Sequence, residues 1–311
     1  MRIAILDDYQ SVALALADWT PVLARAEITV FTDTIADQAA LIDRLSPFDI
    51  LCVMRERTPL PASLLQALPN LKMITSTGPR NASIDTSVTS ALGISIAHTG
   101  YFSEPTVEMT WALIHGLCRH LVSEANSVRA GGWQKNIGVD LHGKTLGILG
   151  LGNVGEAVAR VGAAFGMNII AWSQNLTAAV ARSKGATYVS KETLFEASDI
   201  LSIHTVLSAR TRGLIDAEML ALMKPSAYLV NMSRGQIINE DALIEALVNA
   251  RIAGAGLDVF DLEPLAQDHP YRRLPNVLAT PHLGYVSEGL YKVFYKDSIN
   301  NILAWLDSQA A

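Results

Sequence analysis

A glycine-rich turn between two apolar segments constrains the fold of this chain more than any other feature. Residues 145–155 (T-L-G-I-L-G-L-G-N-V-G) contain the pattern G-x-G-x-x-G after a short apolar run, as a strand buried in a parallel sheet requires. Residues 156–165 then place apolar side chains at helical spacing, and residues 168–173 have the composition of a second strand. The sequence therefore predicts a complete βαβ unit, in which this glycine pattern binds a dinucleotide.

The position of each glycine within this turn predicts a different structural role for it. Gly150 permits the tight turn, Gly152 lets the backbone approach a pyrophosphate, and Gly155 lets the helix pack closely on the strand. The helix start at Asn153 and Val154 supplies N–H donors and partial positive charge for an anion. We therefore expect these five residues to contact the cofactor.

Composition narrows the class of protein. The chain has 311 residues, of which 50% are apolar and 17% charged, as expected for about two globular domains. The net charge is −6 and no basic tract stands out, so neither nucleic acid nor a membrane is an expected partner. The only cysteines, Cys52 and Cys118, are predicted to be reduced core thiols. The first residues predict a strand and no signal peptide, so we expect a cytoplasmic protein, and we predict no metal site.

Strand-like and helix-like segments alternate along two stretches of the chain. The first stretch covers residues 2–97, and the second begins near residue 143. A long helix is predicted over residues 105–129 between them, and an amphipathic helix over residues 286–306 closes the chain. This pattern predicts an α/β fold with two doubly wound parallel sheets and a cleft between them, where ligands usually bind.

Three predicted strand ends carry reactive side chains. Arg234 follows an apolar strand and could hold a carboxylate with two donors, although it could equally be a surface arginine. Asp258, Asp261 and Glu263 follow a buried-looking strand, although acids in loops are usually only solvated. His282 follows a third strand and a proline, although a single histidine is more often structural. Together they fit hydride transfer at a carbon bearing oxygen, because an imidazole can move the proton, a glutamate can orient it and an arginine can fix a carboxylate.

Four motifs give the chain a family resemblance over essentially its whole length. They are G-K-T-L-G-I-L-G-L-G-N-V-G at 143–155, N-M-S-R-G at 231–235, G-L-D-V-F-D-L-E-P-L at 256–265 and T-P-H-L-G at 280–284. In this order they resemble the NAD(P)-dependent D-isomer-specific 2-hydroxyacid dehydrogenases.

The resemblance implies roles for individual residues. It implies that Arg234 binds the substrate carboxylate, and that Glu263 pairs with His282, the general acid and base. Asp258 stands where the family contacts the nicotinamide carboxamide, and His204 begins a segment that lies against the nicotinamide end. The implied reaction is reversible hydride transfer between NAD(P)H and a 2-oxo acid/D-2-hydroxy acid pair.

The resemblance also implies a domain arrangement. A flavodoxin-like substrate domain would consist of residues 1–98 and 285–311, and a Rossmann cofactor domain of residues 99–284. The family further implies a homodimer built through the cofactor domain.

Possible substrate contacts lie in loops of the first unit. Arg55 and the loop containing Gly78 and Arg80 resemble segments that border the family's substrate, and Tyr101 could shape the pocket. If two of the arginines Arg55, Arg57 and Arg80 face the cleft, the sequence favours a substrate with a second anionic group. The alternative is that they are ordinary loop residues paired with nearby acids.

The sequence departs from the family pattern at the adenosine end. Ser173 stands where NAD enzymes usually place an aspartate, and Gln174 and Asn175 follow it, so no carboxylate repels a 2′-phosphate. We predict NAD as cofactor without excluding NADP, and the hypothesis is that the enzyme accepts both. Val206 also replaces a common proline.

Two alternatives to this dehydrogenase remain at this point. One is a dinucleotide-sensing regulator or corepressor of the same fold, which would need no proton-transfer group. The other is an enzyme that uses bound NAD for different chemistry, which would lack this order of arginine, glutamate and histidine. The identity of the substrate is not predicted beyond a 2-oxo or 2-hydroxy acid of small to medium size.

Overall fold

The computed structural model describes residues 1–310, and the chain forms two compact units. Unit 1 comprises Met1–Phe102 together with the chain from Ser287 onward, and unit 2 comprises Ser103–Val286. Among the described residues, no helix is both long enough and apolar enough to cross a membrane.

Unit 1 contains a parallel five-stranded sheet in the order β2-β1-β3-β4-β5. Its strands are Arg2–Ile5 (β1), Glu27–Val30 (β2), Ile50–Val53 (β3), Met73–Ser76 (β4) and Ser95–His98 (β5). Its helices are Thr20–Leu23 (α1), Gln38–Leu45 (α2), Ala62–Gln66 (α3), Thr86–Thr89 (α4) and the C-terminal helix, Glu288–Ala310. The strand order is that of a flavodoxin-like sheet, as predicted.

The C-terminal helix is built into unit 1 by specific contacts. The amide of Asn301 donates to the carbonyl of His98 at 3.1 Å, and the N–H of Gly100 donates to Asp297 at 2.8 Å. Phe294, a residue of this helix, is fully buried. The two ends of the sequence therefore complete one hydrophobic core.

Unit 2 contains a parallel seven-stranded sheet in the order β12-β11-β10-β9-β6-β7-β8. Its strands are Thr145–Leu149 (β6), Asn168–Trp172 (β7), Thr187–Tyr188 (β8), Ile200–Ile203 (β9), Tyr228–Asn231 (β10), Gly254–Leu257 (β11) and Val277–Ala279 (β12). Its α-helices are Glu104–Cys118 (α5), Leu121–Arg129 (α6), Asn153–Ala164 (α7), Ala178–Ser183 (α8), Lys191–Ala197 (α9), Ala217–Leu222 (α10) and Glu240–Val248 (α11), and Gly235–Ile237 and Pro270–Arg272 are 3-10 turns. Strands β7 and β8 lie on one side of β6, and β9 to β12 lie on its other side. The sheet therefore has the Rossmann order, and the predicted fold class is confirmed.

The predicted helix over residues 105–129 is wrong as a single element. It is two helices, because His120 adopts a left-handed backbone conformation with φ of 51°. The carbonyl of Cys118 accepts a hydrogen bond from the N–H of Val139 at 2.7 Å instead of continuing the helical pattern. No glycine or proline marks this break, so local sequence favoured an uninterrupted helix. The two-residue strand β8 was also missed, because it is short and exposed.

The cysteines agree with the prediction. Cys52 and Cys118 are free and buried, and burial raises the pKa of both thiols, that of Cys118 to about 11. Both side chains therefore serve as small apolar core residues.

Candidate active site

The glycine turn joins β6 to α7 with the geometry that its sequence predicts. Gly150 has a φ of +100°, a conformation that residues with a Cβ rarely adopt. A Cβ at Gly155 would overlap the carbonyl oxygen of Gly150, so the helix lies against the strand end only because that position is glycine. A Cβ at Gly152 would meet no atom within 4 Å, which leaves open space on that side of the turn.

Four backbone donors border this open space. Within the described part of the chain, the N–H groups of Gly152, Asn153, Val154 and Gly155 have no protein acceptor, and Gly152 caps the helix without a side-chain hydrogen bond. Unsatisfied N–H groups at a helix start bind anions such as the pyrophosphate of a dinucleotide. The residues present therefore fit this cofactor.

The loop after β7 lies at the adenosine end of the predicted site. Ser173 is half-buried and its carbonyl accepts the N–H of Leu176 at 3.0 Å, whereas Gln174 and Asn175 are exposed. Thr177 then caps α8 by accepting a hydrogen bond from the N–H of Val180. The loop carries no charged side chain, as the sequence indicates.

His204 lies at the end of β9, beside the glycine turn. Its Nε2 is 2.8 Å from the hydroxyl of Ser202, and its backbone would collide with a Cβ at Gly150. The residue keeps a partly exposed edge, but its burial lowers the pKa of the imidazole to about 3. His204 is therefore neutral at physiological pH and can form hydrogen bonds at the border of the site but cannot act as an acid.

His282 and Glu263 are in direct contact in unit 2. The Nδ1 of His282 is 2.6 Å from Oε2 of Glu263, and the side chains are 21% and 33% exposed. Burial would raise the pKa of Glu263, but the hydrogen bond and charge of His282, the N–H of Phe260 and the charge of Arg234 together hold that pKa below its ordinary value. The carboxylate is thus ionised at neutral pH, and its contact with Nδ1 fixes the orientation of the imidazole ring.

Asp258 holds the loop that carries His282. Its carboxylate is buried and accepts hydrogen bonds from the Thr280 hydroxyl at 2.6 Å and from the N–H groups of Leu283 and Gly284, each at 2.7 Å. Burial raises the pKa of Asp258, although these donors and the charge of His282 oppose the rise. The contact of Asp258 with the nicotinamide carboxamide stays a prediction, and the three hydrogen bonds to its carboxylate indicate that Asp258 orders the loop.

The loop held in this way has an uncommon backbone. His282 adopts a left-handed conformation with φ of 55°, which non-glycine residues seldom adopt without support from their surroundings. The ring of Tyr285 packs edge-on against the imidazole, with centroids 5.2 Å apart and an interplanar angle of 72°. Tyr285 and Thr280 are site residues that sequence reasoning missed, although both stand within or next to the T-P-H-L-G motif.

Arg234 follows β10 at the same edge of the sheet. It is half-buried, one guanidinium nitrogen donates to the carbonyl of Ser233 at 2.7 Å, and its charge acts on Glu263. Gly235 lies so close to the chain at Phe260 that a Cβ would overlap that backbone. This contact brings the Arg234 turn beside the loop that carries Glu263, so arginine, glutamate and histidine converge within unit 2.

Arg55 and Gly78 lie together in unit 1, at the carboxyl ends of β3 and β4. Arg55 has a left-handed backbone with φ of 51°, its N–H donates to Thr77 Oγ1 at 2.8 Å, and its carbonyl accepts from the amide of Asn81 at 2.6 Å. Gly78 has a φ of +79°, and a Cβ there would overlap the guanidinium of Arg55. The glycine therefore provides the space in which Arg55 rests.

The other predicted substrate contacts of unit 1 differ in their surroundings. The guanidinium of Arg55 lies 5.6 Å from the ring centroid of Tyr101, and Arg80 is exposed. Arg57 donates to the carbonyl of Asp7 at 2.7 Å and lies 4.5 Å from the ring centroid of Tyr9. Arg57 therefore fastens the loop after β1. Among residues 1–310, no group of three potential ligands could hold a metal ion.

Comparison with known proteins agrees with this geometry. The family model for D-isomer specific 2-hydroxyacid dehydrogenase, NAD binding domain, matches residues 111–284. Glyoxylate reductase of Aeropyrum pernix is 42% identical over 233 residues, which cover 72% of this chain and 70% of that enzyme. Hydroxypyruvate reductase of Thermotoga maritima is 36% identical over 270 residues, which cover 85% of this chain and 87% of that enzyme. The crystal structure of phosphoglycerate oxidoreductase from Vibrio cholerae superposes with a TM-score of 0.94 at 36% identity and covers 99% of both chains.

The matched segment spans more than half of the chain and includes the glycine turn, Arg234, Glu263 and His282. The cofactor that fits the N–H donors of the glycine turn is accordingly NAD. This chain belongs to the D-isomer-specific 2-hydroxyacid dehydrogenases and is an NAD-binding oxidoreductase of that family.

Proposed function

We propose that this enzyme uses NADH to reduce small 2-oxo acids to D-2-hydroxy acids, with His282, Glu263 and Arg234 as its catalytic residues. The observation that carries the proposal is the 2.6 Å contact between His282 Nδ1 and Glu263 Oε2, beside the charge of Arg234. When bound, NADH supplies the hydride. The protein must then supply a proton for the substrate oxygen and an anchor for the substrate carboxylate.

The proton comes from His282 in this mechanism. Because Nδ1 faces Glu263, the nitrogen that can donate to the substrate oxygen is Nε2. Glu263 orients the imidazole ring and prevents its rotation. The N–H of Phe260 donates to Glu263 at 2.9 Å and fixes the carboxylate in turn. In the direction of oxidation the same nitrogen accepts the hydroxyl proton.

Arg234 supplies the anchor. A guanidinium binds a carboxylate with two parallel hydrogen bonds, which fixes the reacting carbon and helps to polarise its carbonyl. Its half-buried position and its influence on Glu263 support this role. A sensing protein of the same fold needs no proton-transfer pair, and no comparison favours such a regulator.

Glyoxylate and hydroxypyruvate are the substrates that we propose first, because the relatives named above are reductases of these acids. In unit 1, Arg55, Gly78, Arg80 and Tyr101 are the proposed substrate contacts. Since Arg57 is engaged by Asp7 and Tyr9, it is the least suited of the arginines to bind substrate.

The test is a panel of glyoxylate, hydroxypyruvate, pyruvate, phenylpyruvate and oxaloacetate with NADH, followed by the loss of nicotinamide absorbance. His282→Ala should abolish turnover while NADH still binds, as shown by its fluorescence. Arg234→Met should raise KM for the oxo acid more than it changes KM for NADH. NADH binding by the unchanged enzyme without turnover of any acid would contradict the proposal.

We also propose a homodimer formed through unit 2. Residues 133–137 fold back on α6, because the N–H of Asn136 donates to Glu124 at 2.8 Å. This segment exposes two large apolar side chains, Trp133 at 73% and Ile137 at 94%, and exposed apolar side chains close together in one loop favour a protein interface. Light scattering should report a dimer for the unchanged chain and a monomer for Trp133→Lys.

A further inference from the structure

A lysine at the end of α8 contacts the glycine turn from outside the predicted cofactor contacts. The Nζ of Lys184 donates to the carbonyl of Leu151 at 3.0 Å and lies 2.9 Å from Oε2 of Glu156. The lysine side chain is 26% exposed, and it links the region after β7 to the first turn of α7. None of the roles assigned above includes it.

The Leu151 carbonyl belongs to the same peptide group as the N–H of Gly152. A trans peptide is planar, so its carbonyl and N–H point in opposite directions. A hydrogen bond that fixes the Leu151 carbonyl on one side therefore fixes the Gly152 N–H on the other. That N–H has no protein acceptor among the described residues, and a Cβ at Gly152 would enter open space.

The contact with Glu156 has a second effect. Glu156 lies in the first turn of α7, where a carboxylate interacts favourably with the helix start and therefore competes with a bound anion. The ammonium of Lys184 compensates this charge. Because the Glu156 side chain is 40% exposed, solvent screens the ion pair, and we expect the hydrogen bond to Leu151 to matter more.

We propose that Lys184 is a positioning residue of the cofactor site, which acts through the Leu151 carbonyl to aim the Gly152 N–H at the pyrophosphate of NAD. This role of Lys184 affects only the binding of the phosphate groups. Ligands that contain them should depend on Lys184, and adenosine should not.

Calorimetry on the enzyme without cofactor tests this with NADH, ADP and adenosine. For Lys184→Met we expect Kd for NADH and ADP to rise by about fivefold to tenfold, the effect of one partly screened, charge-assisted hydrogen bond, and Kd for adenosine to stay unchanged. Lys184→Arg should restore most of the affinity. In turnover, KM for NADH should rise while kcat and KM for the oxo acid stay unchanged.

Two control variants separate the hydrogen bond from general electrostatics. Arg182 is an exposed cation on the same helix, two positions away, so Arg182→Met removes an equal charge without touching Leu151. Glu156→Gln removes the ion pair but leaves the contact with the Leu151 carbonyl. Both should keep Kd for ADP within about twofold of the unchanged enzyme, as expected for screened surface charges.

Three outcomes would overturn the proposal. They are an equal loss of ADP affinity in Arg182→Met, the same loss in Glu156→Gln, and a parallel loss of adenosine affinity in Lys184→Met. If Lys184→Met does not fold, as judged by its thermal transition, Lys184→Ala, which also lacks a donor, is measured instead. Unchanged ADP affinity in either variant counts against the proposal.

Discussion

The replacement Glu263→Gln tests the proposed mechanism most directly. It preserves the size of the side chain and an oxygen that can accept the Phe260 N–H, but it removes the charge 2.6 Å from His282 Nδ1. The protonated imidazole loses its counter-ion. Reduction should therefore slow, because the ring that donates the proton loses the carboxylate that stabilises and orients it.

The size of the effect follows from the exposure of the pair. Opposite charges about 4 Å apart attract by about 4 kcal/mol at an effective dielectric constant near 20 and by about 1 kcal/mol in bulk water. The Glu263 side chain is 33% exposed, so an intermediate value of about 2 kcal/mol applies. Since about 1.4 kcal/mol is a factor of ten, kcat for reduction should fall by about thirtyfold.

The assay measures kcat for reduction across pH, with Asp261→Asn as the matched control. Asp261 lies in the same loop and carries the same charge, but no contact joins its carboxylate to the imidazole. A Glu263→Gln enzyme with kcat within about twofold of the unchanged enzyme would refute the reasoning, because the loss of one partly buried charge pair should exceed that effect.

Glu263 also makes stability depend on pH. Its pKa in the folded chain lies below the ordinary value of 4.5, so its ionised form stabilises the fold at neutral pH. That contribution is lost as the pH falls through the folded pKa. The difference in free energy of unfolding between the unchanged enzyme and Glu263→Gln, measured with urea, should therefore shrink below pH 4.5.

Four further substitutions have distinct expected outcomes. Gly152→Ala should weaken NADH binding by roughly tenfold at unchanged Tm, because its Cβ enters the open space where the ligand binds. Gly155→Ala should lower the free energy of unfolding by about 1–3 kcal/mol through overpacking. Equal Tm values for the two variants would contradict this. Ser173→Asp should favour NADH over NADPH by about tenfold, starting from comparable efficiencies, and a strong preference in the unchanged enzyme would refute the latter hypothesis. Asp258→Asn should cost about 1–3 kcal/mol in urea unfolding, because the new amide N–H₂ faces the N–H of Gly284, and an unchanged transition would count against its role in ordering the loop.

Much of the fold could be predicted because its signals are local. Apolar runs that alternate with helix-like segments indicated two parallel sheets, and the glycine pattern located the turn between β6 and α7. The carboxyl ends of parallel strands share one edge of a sheet, so Arg234, Glu263 and His282 were expected to lie near one another. The structure brings Glu263 and His282 into direct contact.

Other features depend on contacts between residues distant in sequence. The break at His120 depends on the chain near Val139, which supplies the hydrogen bond that replaces the helical one. The role of Asp258 depends on which loop packs against it. The sequence does not show which groups donate to this carboxylate, so it does not distinguish an aspartate that orders a loop from one that contacts a ligand. Lys184 has no motif at all, because its role comes from where α8 ends.

Unit 1 is assembled from both ends of the sequence, and this has a consequence for synthesis on the ribosome. Its sheet is translated first, yet the C-terminal helix, which carries the buried Phe294 and contacts His98, leaves the exit tunnel only after all of unit 2. Unit 2 is a single continuous segment of the sequence, so it can form its own core while one apolar face of the sheet in unit 1 is still uncovered. Chaperones that shield such faces during translation should therefore engage the first hundred residues, and a stop codon before Glu288 would leave that face permanently bare.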